Sequence, residues 1–185
     1  IVAQYRQKDP YSRLIRIVVL FLGGLLLFMA LFILFVWMGV FGGIPGKDDL
    51  RNISQQVGTE VYSADSVLLG RYYLMERSMV PSAQISTELK HALIATEDVR
   101  FYNHGGIDTR SMLRVLIKGV LLQRESAGGG STLTQQLAKN LYPRRSYWVL
   151  SLPINKIREM IIARRLEKIY SKDEILVLYF NTIPF

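Results

Sequence analysis

The chain has 185 residues, no cysteine and a formal net charge of +8 at pH 7. That length accommodates one membrane segment and one domain of roughly 100 to 150 residues, and excludes a second soluble domain of similar size. The absence of cysteine excludes disulfides and thiol catalysis without identifying a compartment.

Arg6, Lys8, Arg13 and Arg16 stand against a single Asp9 ahead of residues 17–46, a stretch with no charged residue. Residues 17–41 are almost wholly apolar. A helix needs about 20 such residues to cross a bilayer core, so the run spans with tilt to spare. A cleaved signal peptide has an apolar region of only about 7 to 15 residues, and a soluble core helix this long and uniform is rare. The expectation is a cytoplasmic tail at residues 1–16, a single transmembrane helix at 17–41 and an extracytoplasmic remainder, because flanking cations stay inside. Beyond the helix, 19 of the 23 Lys and Arg remain against 14 of the 15 acids. Such a surface suits anionic lipid heads, phosphate-bearing ligands or ordinary solvation; nucleic acid is not expected outside the cytoplasm.

Residues 42–80 read as a linker with a small β element. Pro45-Gly46-Lys47-Asp48-Asp49 is the linker proper. Residues 60–74 carry β-branched and aromatic side chains around Ala64-Asp65-Ser66, the pattern of a hairpin, with Gly70 as a second break. Residues 81–185 then read as helices. Ser86-Thr87-Glu88 starts one, and an apolar helix is expected between Asp108 and Gln123, followed by a loop at 124–130. Leu133, Leu137 and Leu141 share one face of the next, with Thr132, Gln136 and Lys139 on another. Pro153 opens a further helix lined by Ile154, Ile157 and Ile161. Ser171 and Glu174 have the spacing of a capping box for a last helix from Lys172 to about Asn181.

The chemistry gathers at Glu97-Asp98-Val99-Arg100-Phe101-Tyr102-Asn103-His104-Gly105-Gly106, where an apolar segment meets a turn. A carboxylate half-buried there would have a raised pKa and serve as a general base, which makes Glu97 the candidate. Asp98 is assigned to orienting the turn, and Phe101 to the core. His104 admits three roles, as metal ligand, proton carrier or structural donor; with no cysteine or second nearby histidine, a protein-bound zinc is not expected. Gly105 and Gly106 allow a turn that side chains would obstruct. Gly128-Gly129-Gly130-Ser131-Thr132 is either an anion cradle at a helix start or a flexible loop. Lys139, Arg144 and Arg145 would complete a pyrophosphate site in the first case. Glu159 lies among cations, as one half of a solvated salt bridge or as a second carboxylate facing Glu97.

At these residues the chain resembles the peptidoglycan glycosyltransferase family, the transglycosylase domain of class A penicillin-binding proteins and of monofunctional transglycosylases. The match runs through Glu97-Asp98-x-x-Phe101-x-x-His104-x-Gly106, Gly-Ser-Thr-Leu-Thr-Gln-Gln-Leu-Ala-Lys-Asn ending at Asn140, Lys156-x-x-Glu159, and residues 170–176 to Tyr179-Phe180-Asn181. The resemblance implies a mainly α, lysozyme-like fold behind one transmembrane helix, in the bacterial cytoplasmic membrane. It implies lipid II as substrate, with Glu97 deprotonating the acceptor 4-hydroxyl, inversion at the donor carbon and departure of undecaprenyl pyrophosphate. Glu159 becomes the second essential acid. Ser131, Thr132, Gln135, Gln136, Lys139, Arg145 and Lys156 become substrate-binding, and Asp98, Phe101, His104 and Gly106 orienting or structural. A divalent cation, Mg or Mn, is expected to be held mainly by the substrate pyrophosphate, with no assigned protein ligand and Glu159 as the candidate. Partners are the growing glycan chain, the membrane and other cell-wall synthesis proteins.

Three departures accompany the resemblance. Asn155 stands before Lys156 where the family often has arginine, residues 142–152 form a long loop that leaves Arg144 and Arg145 as alternatives for the pyrophosphate contact, and Val177 occupies a commonly acidic position. The family continues past the position of Phe185, so the domain is expected to be truncated and this stretch alone weakly active or inactive in polymerising labelled lipid II. A downstream Ser-x-x-Lys would mark a bifunctional protein, which the hairpin favours. Two other classes compete: a membrane-anchored precursor-binding scaffold without turnover, and a glycan hydrolase, which has no use for a pyrophosphate-binding cluster.

Overall fold

The structure, a computed structural model, describes residues 10–53, 59–72, 79–115, 117 and 129–183. The chain divides into two units, Ile1–Gly43 and Ile44–Phe185.

The first unit is helix α1, Pro10–Trp37. Its stretch Tyr11–Trp37 has a mean hydropathy of 3.1 and is long and apolar enough to cross a membrane. The helix begins earlier and ends sooner than residues 17–41. Arg13 and Arg16 are good helix formers whose long stems let the charge reach water, so they extend the helix rather than delimit it. At the other end Gly39 has φ +80 and Gly42 φ +102, left-handed conformations that stop a helix. The tail ahead of Pro10 lies outside the described residues.

The second unit is mostly helical. Its segment expected as a linker instead forms α2, Lys47–Arg51, and Leu50 is fully buried in the core. Long-range bonds hold this segment: Tyr170 Oη donates to the Leu50 carbonyl at 2.7 Å, and Arg165 Nη1 to the Pro45 carbonyl at 2.6 Å. β1 (Thr59–Tyr62) and β2 (Leu68–Tyr72) pair antiparallel around the Ala64-Asp65-Ser66 turn. Gly70 lies within the ladder opposite Val61, and the register shifts beside it, between Val61 and Tyr62, so the expected second break is an irregularity in the pairing and does not end the strand.

Helix α3, Thr87–Glu97, starts where Ser86 Oγ accepts the Leu89 N–H at 3.2 Å. Helix α4, Thr109–Val115, is capped by Asp108, which accepts from the Arg110 and Ser111 amides and the Ser111 hydroxyl. Burial raises the Asp108 pKa, but those bonds and the Arg100 charge outweigh it and hold the carboxyl below its usual value. The rest of the apolar helix expected up to Gln123, and most of the loop after it, lie outside the described residues.

Helices α5 (Leu133–Leu141), α6 (Ser151–Leu166) and α7 (Lys172–Thr182) form the packed centre, with α5 against both others. Leu133 and Leu137 are fully buried, and Leu141 packs on the same cluster. Ser171 and Glu174 form the expected capping box, with the Ser171 N–H donating to Glu174 Oε2 at 2.7 Å. Helix α6 starts two residues ahead of Pro153, which sits in the first turn where its missing N–H costs nothing. Its buried face is Ile154, Ile162, Ala163 and Leu166 together with Asn155, Arg158 and Glu159. Ile157 and Ile161 are only half-buried, because these polar side chains find partners and take up part of the inward face.

The place of α2 in the core sets an expected outcome. Leu50→Ala should lower the stability of the Ile44–Phe185 unit by about 2–5 kcal/mol, as for other large-to-small core changes. Thermal or urea unfolding of the chain in detergent measures it; a leucine on a solvated linker would give no shift.

Candidate active site

The joint between α3 and α5 is built on Asp98. Its carboxylate is buried at the end of α3 and accepts the Leu133 N–H, the first amide of α5, at 3.1 Å. His104 Nε2 lies 3.0 Å from each of its oxygens. The free amides at a helix start favour an anion, and here that anion is an aspartate of the chain itself. The Gln135 N–H is also taken, by Thr132 Oγ1 at 3.2 Å. The glycine-rich approach to α5 therefore leads to a helix start already occupied by Asp98, not to an open phosphate cradle.

Gly106 locks the same joint from below. Its φ is +85, and a Cβ there would stand 2.9 Å from the Ala163 backbone of α6. Its carbonyl accepts from Thr132 Oγ1 at 2.7 Å and Gln135 Nε2 at 3.3 Å. Gly105 has open space around it, so of the two glycines Gly106 is the one the packing requires. Phe101 is fully buried with the Lys172 ammonium 4.3 Å from its ring centroid. Lys172 also donates to the His104 carbonyl and to Glu167 Oε1, each at 2.7 Å.

Glu97, one residue before Asp98, is exposed rather than half-buried. The preceding helix turns its apolar residues elsewhere and leaves the last side chain at the surface. One oxygen of Glu97 is held: Oε2 accepts from Gln136 Nε2 at 2.8 Å. Gln136 Oε1 in turn accepts from Tyr179 Oη at 2.9 Å. Burial, and then the Glu97 charge, push the Tyr179 phenol up to about 12, so it stays a donor across the physiological range. The donors thus run in one direction, from α7 through α5 to the carboxylate, and they fix which way the Gln136 amide points.

A second cluster forms where α6 meets the start of α5. Lys156 Nζ donates to Ser131 Oγ and Gln135 Oε1, each at 2.7 Å, and lies 3.5 Å from Glu159 Oε2. Arg144 Nε pairs with Glu159 Oε1 at 2.7 Å. Glu159 is buried, 5% exposed, so the solvated salt bridge is the wrong description of it. Burial lowers the Lys156 pKa, the Arg144 and Lys139 charges lower it further, and Glu159 opposes them. One carboxylate paired with Arg144 and Lys156, with the Lys139 charge acting on Lys156 as well, leaves a surplus of positive charge, which an anionic ligand would relieve.

The residues expected as substrate-binding separate into two kinds. Gln136, Lys139 and Lys156 are exposed or half-buried, as is Ser131. Thr132 and Gln135 are 2% and 1% exposed and bonded to Gly106, so they build the floor and are not a contact surface. It is Arg144, not Arg145, whose guanidinium reaches Glu159. Arg145 is held through its backbone, its N–H donating to Asn155 Oδ1 at 3.1 Å and its carbonyl accepting from Asn155 Nδ2 at 2.7 Å. Among the described residues no three of His, Cys, Asp and Glu gather as a metal site, and both Glu159 oxygens already face cations. That donor set does not suit a resident divalent ion.

Sequence reasoning gave no role to Tyr179, although it stands in the Tyr179-Phe180-Asn181 motif. The signal available was a hydroxyl on the inward face of α7. It also missed Glu167, which accepts from Thr134 Oγ1 at 2.6 Å and from Lys172. Nothing in the spacing indicates that a glutamate and a lysine would clasp α5.

Residues 65–185 match the family model described as Transglycosylase. Curated proteins similar to the chain include penicillin-binding protein 1A of Escherichia coli, 38% identical over 142 residues. Penicillin-binding protein 1A of Pseudomonas aeruginosa is 37% identical over 142 residues, and that of Neisseria lactamica 35% over 140 residues. Each alignment takes in 76% of this chain but only 16% or 17% of the relative, so the chain spans about a sixth of the length of these proteins.

The close approach at Gly106 predicts a sharp response to one methyl group. Gly106→Ala should cost about 2–4 kcal/mol, combining an unfavourable φ with a clash against backbone that cannot rotate away. A melt of the variant against the native chain checks it; Gly105→Ala, with open space at that position, serves as the control.

Proposed function

The chain belongs to the transglycosylase family, and from that premise we propose that it is a peptidoglycan glycosyltransferase that polymerises lipid II into β-1,4 glycan strands. The observation that carries the reading is the double engagement of α5. Toward one side Gln136 orients Glu97; toward the other Ser131 and Gln135 hold Lys156 in a cluster with surplus positive charge. A transfer from a pyrophosphate-linked sugar needs both, a base for the attacking hydroxyl and cations for the departing pyrophosphate.

Glu97 acts as the base in this reading. With Oε2 occupied by Gln136, Oε1 is the oxygen left to take the proton of the acceptor 4-hydroxyl. The oxygen so freed attacks the donor anomeric carbon from the face opposite the leaving group, and the configuration inverts. The bond to the pyrophosphate oxygen breaks, and its electron pair goes to undecaprenyl pyrophosphate. Lys156, Arg144 and Lys139 stabilise that charge, while Glu159 keeps Arg144 and Lys156 in place until the substrate phosphates compete for them. A divalent cation, Mg or Mn, would arrive on the pyrophosphate, neutralising charge there. Helix α1 would anchor the chain in the bacterial cytoplasmic membrane with the amino terminus inside, where a lipid-linked donor is reached from the outer leaflet, and cell-wall synthesis proteins would be its neighbours.

A scaffold that retains the fold without turnover is the competing reading, and Glu97 separates the two. Glu97→Gln in the full-length protein should lower lipid II polymerisation by about 10²–10⁴-fold, the usual contribution of a general base, while lipid II binding persists. Unchanged glycan synthesis would remove Glu97 from the mechanism, and absence of synthesis by the native protein would favour the scaffold. In the same assay Tyr179→Phe should lower kcat by about 3- to 10-fold with KM nearly unchanged, because it frees the Gln136 amide to rotate without touching substrate.

A further inference from the structure

A cavity of about 500 Å³ opens between the turn at residues 105–109, α4 and the last turns of α6, and none of the residues assigned to proton transfer or to the cation cluster lines it. That volume lies within the range of ligand pockets, roughly 300–1,000 Å³. Ile107, Met112 and Met160, all half-buried, give it apolar walls. Two methionines make such walls adaptable, since an unbranched thioether chain repacks around shapes that a branched one would reject.

The same lining is cationic. Arg164 and Lys168 are exposed, and among the described residues neither side chain has an ion pair or a hydrogen bond. Glu167, the one acid in the lining, does not neutralise them. Its side chain is 7% exposed, and its Oε1 is spent on Lys172 Nζ at 2.7 Å and Thr134 Oγ1 at 2.6 Å. Two cations without counter-charge beside an apolar wall fit a ligand in which an anionic group is joined to an apolar one.

The backbone completes the site. The His104 carbonyl accepts from Lys172, and the Gly106 carbonyl from Thr132 and Gln135. Gly105 and Ile107, which alternate with them and line the cavity, make no hydrogen bond to any described residue. Open backbone donors and acceptors beside a pocket for side chains suit an extended peptide, whereas a lipid tail would leave them unused. We infer that this cavity docks an acidic segment of a partner protein in extended form. An apolar side chain enters between Ile107, Met112 and Met160, flanking carboxylates meet Arg164 and Lys168, and the segment's backbone bonds to Gly105 and Ile107. The inference rests neither on α1 nor on the chemistry assigned to Glu97. One side chain in one pocket buries far less than the roughly 1,000 Å² of a stable interface, so the contact is weak and reversible, with Kd in the micromolar range.

The probe is a fluorescein-labelled peptide, Glu-Asp-Leu-Phe-Asp-Glu, titrated against the full-length protein in detergent and followed by anisotropy. The expected result is saturable binding, weakened about tenfold or more by Arg164→Glu combined with Lys168→Glu. Gly105→Leu should weaken it as much, because that position has no positive φ and a Cβ there meets nothing within 4 Å, so the new side chain takes up the cavity. The charge reversal alters exposed residues alone and decides the matter even where Gly105→Leu folds poorly. Absence of saturable binding, or binding indifferent to the charge reversal, would overturn the inference. Equal binding of Glu-Asp-Gly-Gly-Asp-Glu would overturn it by showing attraction to a charged surface without a pocket. Displacement of the peptide by phosphatidylglycerol vesicles and not by phosphatidylcholine vesicles would overturn it in favour of a lipid.

Discussion

The candidate site depends on one buried charge held at a helix start. Asp98 ends α3, and its carboxylate meets the first amide of α5 and the His104 ring. A buried carboxylate without such partners would be costly, and with them it fixes the direction in which α3 meets α5. The side chain next to it, Glu97, then has no freedom of placement beyond its own rotamers. The acidic pair at the end of α3 divides its work accordingly: one acid is consumed in making the joint, and the other is left at the surface.

From that joint the rest follows along α5. A helix of nine residues carries buried leucines on one face, a floor of Thr132 and Gln135 at its start, and Gln136 where the helix looks back at Glu97. Because α6 and α7 both pack on α5, their polar residues reach neighbouring positions in its first half from different sides. Tyr179 comes from α7 to hold Gln136, and Lys156 from α6 to hold Ser131 and Gln135. The separation of a proton-accepting side from a cationic side is therefore a property of helix packing, with α5 as the shared wall. A like arrangement on loops would lose its geometry to loop motion.

Much of this was legible from local rules. Ser86 and Ser171 announce helix starts because a hydroxyl satisfies amides that no carbonyl can reach, and the structure uses both; Thr132, expected on a face of its helix, caps α5 in the same way. Leu133, Leu137 and Leu141 announce a buried stripe because the helical period is short-range. The misreadings share a cause in long-range packing. Residues 45–49 look like a linker by composition, yet Leu50 just beyond them joins a core whose other buried members run from Phe101 to Tyr179. Ile157 and Ile161 look like a core face, yet Asn155, Arg158 and Glu159 take much of the inward side of α6 by pairing with Arg145, Tyr147 and Arg144 of the loop that folds back on it.

The sequence by itself determined the apolar helix, the mainly helical character of the domain, the family to which the chain belongs and the set of chemically capable residues from Glu97 to Glu159. It did so because periodicity, capping and motif spacing are written within a few residues of one another. Only the tertiary structure decided that Glu97 is exposed and Asp98 buried, that Arg144 and not Arg145 meets Glu159, and that Tyr179 stands behind Gln136. Each of these depends on which helix faces which, and that is settled by burying the α5, α6 and α7 core as one unit, where a single residue's neighbours come from three elements at once.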